Sequence, residues 1–188
     1  MKKFVFLAIL IISLALSITS YSQKKMYIWP SNNVDITTQT SIFKGSKIFL
    51  NIFVSREITK KSKIECTDKE LIDILSEIIR KTYPSASFVN LDGTEVPKDA
   101  LTIKINIKAY EATFYTGMWH AATAYKVEIF NNLNNSNVVY NKDIESLRNF
   151  YNAFGYTTAK SNLKNCFVEA NNQLFDFFKD SFLKMSIK

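Results

Sequence analysis

From Leu101 to Tyr110 the chain alternates without a break. Leu101, Ile103, Ile105, Ile107 and Ala109 fall on one side of an extended backbone, and Thr102, Lys104, Asn106, Lys108 and Tyr110 on the other. A period of two with one apolar and one polar side marks a strand that buries one face and wets the other, as antiparallel sheets do. Such a strand needs partners along its edges and an apolar layer over its dry face. The fold must supply both.

The partners are legible. Over 47–54, Ile48, Leu50, Ile52 and Val54 share one side while Phe49 and Phe53 take the other, so this strand is expected to be covered on both faces. Residues 87–91 read as a short strand ended by the turn pair Asp92-Gly93. After the long alternating segment (100–114), residues 121–130 and 138–146 read as the second and third strands of a meander. An asparagine-rich turn at 131–137 separates them.

The covering layer is legible too. Thr67-Asp68-Lys69-Glu70 is a capping box, in which the threonine and glutamate side chains each satisfy an orphan amide at a helix start. Leu71, Ile74, Leu75 and Ile78 follow at helical spacing, and Pro84 disfavours helical backbone at Tyr83, which ends the helix there. A longer helix over 161–185 carries the stripe Leu163, Cys166, Phe167, Ala170, Leu174, Phe177 and Phe178. The order is therefore β-α-β-β-β-β-α. Two helices with apolar stripes and one sheet make a two-layer α+β domain with a mostly antiparallel sheet. This single domain is expected over 47–188.

The N-terminus reads as an address. Lys2 and Lys3 precede an apolar run over 4–16, and small residues follow, with Ser20 and Ser22 where a signal peptidase reads. The run is shorter than the roughly 20 residues a membrane-spanning helix needs. Residues 1–22 are thus expected to be a signal peptide and 23–46 an extended arm, which makes the protein periplasmic or secreted. Hydrophobic content of 47% and aromatic content of 14% exclude a disordered chain. The formal net charge of +7 falls by two when Lys2 and Lys3 leave with the leader. The remaining Lys and Arg are scattered, the densest group being Lys60, Lys61 and Lys63, which reads as a solvated loop. Weak attraction to an anionic membrane surface fits this balance. Nucleic acid does not, since no basic stripe joins a recognition motif.

Two cysteines lie beyond the leader, Cys66 and Cys166. An exported chain can pair them, and closing a loop of about 100 residues would stabilise the fold by roughly 4–5 kcal/mol in the chain-entropy model. Two buried, unpaired thiols are the other reading.

No catalytic residue is assigned. His120 is the single histidine, the cysteines are far apart in sequence, and no serine sits in a G-x-S-x-G setting. The four glycines are not grouped into a phosphate-cradling loop, so no metal and no cofactor are expected. Asp73 and Glu77 share a helical face that reads as solvated. A small hydrolase using carboxylates or His120 remains the alternative from a different class.

The aromatic residues are unevenly placed. Tyr110, Phe114, Tyr115, Met118 and Trp119 gather around the first meander turn, and Phe150, Tyr151, Phe154 and Tyr156 follow the third strand. A meander returns its third strand to the end where the first strand stops, so the two groups are expected to meet. Tyr115, Trp119, Tyr151, Phe154 and Tyr156 form the candidate binding cluster, with His120 and Arg148 as polar handles. Aromatic rings with polar tips suit a boundary between dry and wet surroundings. The competing reading is that the rings plug the end of the core beneath the last helix.

A strand ending Ser55-Arg56, a capped helix, a meander whose second strand opens with Trp119 and a long closing helix together resemble a known group. The pattern is similar to small envelope-associated α/β proteins: YajG-like lipoproteins and the auxiliary subunits of ABC-type lipid transporters. Those families usually carry an acylated N-terminal cysteine and commonly end the strand Asp-x-Arg, where this chain has no cysteine before Cys66 and reads Val54-Ser55-Arg56. The resemblance implies a non-catalytic accessory protein that binds another envelope component, whether protein, glycan or lipid. A carrier of an apolar ligand held between helices and sheet is a further alternative.

Overall fold

A computed structural model describes residues 38–56, 64, 66–91, 100–131, 138–151 and 155–186. The leader, the cleavage site, the basic loop at Lys60–Lys63, the Asp92-Gly93 turn and the asparagine-rich turn lie outside the described residues. The elements are β1 (Lys47–Val54), α1 (Asp68–Thr82), β2 (Ser87–Asn90), β3 (Leu101–Tyr115), β4 (Met118–Asn131), β5 (Val138–Tyr151) and α2 (Tyr156–Ser186). This is the α+β order read from the sequence.

One five-stranded sheet runs β2-β1-β3-β4-β5. β3, β4 and β5 form a long antiparallel meander, and β1 pairs in parallel with both β2 and β3. The parallel pairings follow from the crossover. After β1 the chain returns through α1, so β2 re-enters the sheet at the same end. The sheet is mostly antiparallel because β3 to β5 are its longest strands.

Both helices pack into one contiguous core against a single sheet face. Ile48 and Leu50 of β1, Ile103, Ile105 and Ile107 of β3, and Val127 and Ile129 of β4 point into it. The whole predicted stripe of α2, from Leu163 to Phe178, is buried there. Thr67 caps α1 in the expected way: its hydroxyl accepts from the Glu70 amide at 3.2 Å and its own amide donates to Glu70 Oε2 at 2.8 Å. Tyr83 ends that helix and joins an aromatic hub, with Phe43 at 5.5 Å, Phe175 at 5.9 Å and Phe178 at 6.0 Å between ring centroids.

The alternation of β3 does not run through as the residues suggest. The register against β4 shifts between Ile107 and Ala109, so Lys108 is an extra residue that bulges outward. Parity changes there. Tyr110 and Ala112 take over the buried face, and Tyr110 packs on Phe167 of α2 with centroids 5.8 Å apart.

Burial is uneven on the opposite sheet face: Asn51 and Thr102 are buried near β1, whereas Leu147 and Tyr151 are exposed toward β5. Phe49 and Phe53, expected beneath a second layer, are half-buried there, with the Lys47 and Lys104 ammonium groups 5.2 and 5.6 Å from their ring centroids. The lysine stems shield the rings while their charges stay wet.

Candidate functional site

The β3–β4 hairpin closes through two residues, Thr116 and Gly117, with φ of 51° and 77°. Positive φ at both central positions is the type I′ geometry, whose twist matches that of paired strands. The tight turn puts Tyr115 opposite Met118, and β5 brings Tyr151 opposite Met118 from the other side. The two aromatic groups therefore converge at one end of the sheet, but the sheet divides them.

On the helix face, Trp119 is 3% exposed, with Phe114 at 5.1 Å and Tyr156 at 5.6 Å from its ring centroid. Trp119 closes this end of the core beside Tyr156, the first residue of α2, while Phe114 and Tyr156 are each 38% exposed. Arg148 points the same way and pairs with Glu169 of α2 at 3.4 Å, and Ser146 donates to that carboxylate at 2.9 Å. Trp119 and Arg148 thus meet α2 from the sheet, the first as buried packing and the second as an exposed ion pair, and Tyr156 belongs to α2 itself. Phe154 lies outside the described residues.

On the open face, Tyr115 lies flat on the His120 imidazole, with centroids 3.8 Å apart and planes 7° apart. His120 Nδ1 donates to Asn149 Oδ1 at 2.7 Å, which turns the ring edge toward β5. Tyr151 is 77% exposed on the same side. Glu111, Thr113, Tyr115, His120, Leu147 and Asn149 line a groove of about 460 Å³ across β3, β4 and β5. Of the seven candidates, Tyr115 and His120 line this groove, and Tyr151 stands on the same face outside its lining. The sequence pattern passed over Glu111, Thr113, Leu147 and Asn149. Their shared face follows only from the bulge at Lys108 and the β4–β5 register, which no local spacing announces.

Glu111 is half-buried and makes no hydrogen bond or ion pair with a described residue. Burial raises its carboxyl above the ordinary range, and the Arg56 guanidinium only partly offsets this. Arg56 is itself nearly enclosed, its side chain 8% exposed. It donates to Asp68 Oδ1 at 3.0 Å, to the Tyr110 carbonyl at 3.3 Å and to the Cys66 carbonyl. It therefore ties the end of β1 to the cap of α1 and to the strand just past the bulge.

The candidate Cys66–Cys166 bridge is not formed: both thiols are buried and free, the other reading of the sequence. Cys66 Sγ lies 3.6 Å from the Thr67 carbonyl oxygen at the start of α1, and Cys166 Sγ lies 3.6 Å from that of Ala121 under α2. Each sulfur sits in its own part of the core. Burial pushes the Cys66 thiol up to about 12, and burial also raises Cys166. Among the described residues no three His, Cys, Asp or Glu side chains gather as metal ligands. No described helix is long and apolar enough to cross a membrane.

Neither a protein-family model nor a curated protein matches the chain. Its fold is similar to that of a Xanthomonas campestris protein of the DUF330 family, with a TM-score of 0.59 at 10% identity over 87% of this chain and 100% of that one. A hypothetical protein from Chlamydia trachomatis gives 0.46 at 8% identity over 72% and 99% of the two chains. A lipoprotein from Neisseria meningitidis gives 0.41 at 8% over 70% and 99%. The likeness is one of fold.

Proposed function

We propose that this chain is an exported, non-catalytic binding module of the cell envelope, working through the open sheet face at the β3–β4 hairpin. One observation carries the reading. Tyr115 and Tyr151 are 46% and 77% exposed on the sheet face opposite the helices, with His120 stacked on Tyr115, while the neighbouring Trp119 is buried on the helix face. Large aromatic side chains left at a surface serve recognition, because they give much contact area for little lost conformational freedom. Thr116 supports the same site. A β-branched residue at φ 51° is strained, and strain of that kind collects at functional loops. The N-terminal apolar run supports export, and the resemblance to YajG-like lipoproteins and transporter auxiliary subunits supports an accessory role.

The test is envelope retention of the full chain expressed in a bacterial host. Tyr115→Ala with Tyr151→Ala should keep the wild-type melting temperature and leave the envelope fraction. Equal retention of the double variant and the wild type would refute the site.

A further inference from the structure

The groove on the open face has a chemistry narrow enough to name a ligand class, granted that it is the binding surface proposed above. Its lining combines one flat aromatic platform, Tyr115 stacked on His120, with an aliphatic wall, Leu147, that is 60% exposed. Its polar groups come from two strands. Glu111 offers a carboxylate without a described partner, and Thr113, two residues on, offers a hydroxyl on the same side of β3. Asn149 uses Oδ1 to accept from His120, which leaves its amide N–H groups as donors. No Lys or Arg lines the groove, and Arg148 is turned to the other face against Glu169.

From this lining we infer that the groove takes a neutral saccharide, one pyranose ring lying on Tyr115 with its hydroxyl rim against Glu111, Thr113 and Asn149. A pyranose has a face of C–H bonds whose hydrogens carry slight positive charge, and an aromatic ring presents slight negative charge on its face. Its hydroxyls both donate and accept, which matches a lining that holds a carboxylate acceptor, a hydroxyl and amide donors. A groove of about 460 Å³ lies within the usual span of small-molecule sites and has room for one or two sugar units. An anionic ligand, such as a lipid phosphate or an acidic sugar, would meet the Glu111 carboxylate with no Lys or Arg in the lining to pair with it. His120 acts as a positioning residue, holding the Tyr115 ring from below and Asn149 from the side.

The experiment is amide and side-chain NMR of the full chain, titrated separately with cellobiose, N,N′-diacetylchitobiose and maltotriose. Tetramethylammonium and inorganic phosphate serve as the charged probes. At least one neutral saccharide should shift the signals of Tyr115, His120 and Asn149, and Tyr115→Ala should weaken that binding by about ten-fold or more. Glu111→Ala, which removes a hydrogen-bond acceptor from the hydroxyl rim, should weaken that binding several-fold. Shifts from tetramethylammonium that vanish in Glu111→Gln would overturn the saccharide assignment in favour of a cation. Shifts from phosphate, or from none of the three saccharides, would overturn it as well. Envelope retention separates the two levels. If the Tyr115→Ala, Tyr151→Ala variant leaves the envelope while no saccharide binds, the ligand class is wrong and the groove stands. If it stays and no saccharide binds, the groove itself is wrong.

Discussion

Trp119 and Tyr151 illustrate how much one step along a strand decides. They stand one register position apart at the same end of the sheet, yet Trp119 faces the core and Tyr151 faces solvent. Trp119→Ala should cost about 3–5 kcal/mol of stability, the usual loss for a buried large aromatic. Tyr151→Ala should stay within about 0.5 kcal/mol, as exposed changes do. Urea denaturation of the two variants checks both values. Glu111 makes a different prediction. Burial raises its carboxyl, so the folded chain holds that proton more tightly than the unfolded chain does. This contribution is complete below the ordinary carboxyl pKa and is lost as pH rises through the raised folded value. Glu111→Gln should therefore raise the melting temperature at about pH 7 and change it little at about pH 3. Cys66 follows the same sign at the alkaline end. Its thiol moves from 9.0 to about 12, so stability should fall across that interval, and the buried Tyr83, Tyr110 and Tyr125 hydroxyls, also raised, add to the fall. Thermal melts from neutral to alkaline pH check it. A thiol assay on unreduced, denatured protein should find both cysteines free.

At the scale of elements, the capping box and the hairpin turn carry opposite expectations. Thr67→Ala removes the side chain that accepts from the Glu70 amide and should cost about 1 kcal/mol. Thr116→Asn should instead stabilise by roughly 0.5–1 kcal/mol, since Asn-Gly suits a type I′ turn and asparagine tolerates positive φ. Chemical denaturation of the pair reads both signs. Which elements were legible follows the same physics. Period-two alternation found β1 and the first half of β3, and the Thr67 cap with Pro84 bounded α1, because these signals are local. The second half of β3 was misread because one extra residue, Lys108, reverses which side chains face the core. Tyr110 consequently passed for a wet residue. β4 starts before the expected 121 and β5 runs past the expected 146, because hairpin pairing extends strands through Trp119, His120 and Asn149. The convergence of the two aromatic groups was readable from meander topology. Their division between two faces was not.

For the whole molecule, the decisive feature is that both helices cover one face of a five-stranded sheet. Burial is uneven on the other face, where Asn51 and Thr102 toward β1 are buried and the β3–β4 hairpin end is accessible. Arg56 joins the end of β1 to the start of α1 and to β3 at Tyr110. Arg56→Ala strips the Tyr110 and Cys66 carbonyls of a donor and should cost about 2–4 kcal/mol, read by denaturation. If recognition occurs on the open face, side chains one strand position apart must report different surroundings in the envelope. The most direct measurement places a photo-crosslinking amino acid at Tyr151 in one full-length variant and at Arg148 in another, each irradiated in intact cells. The account predicts an adduct from position 151 that disappears when Tyr115→Ala is added, and none from position 148. An adduct from position 148, or none from position 151, would contradict it.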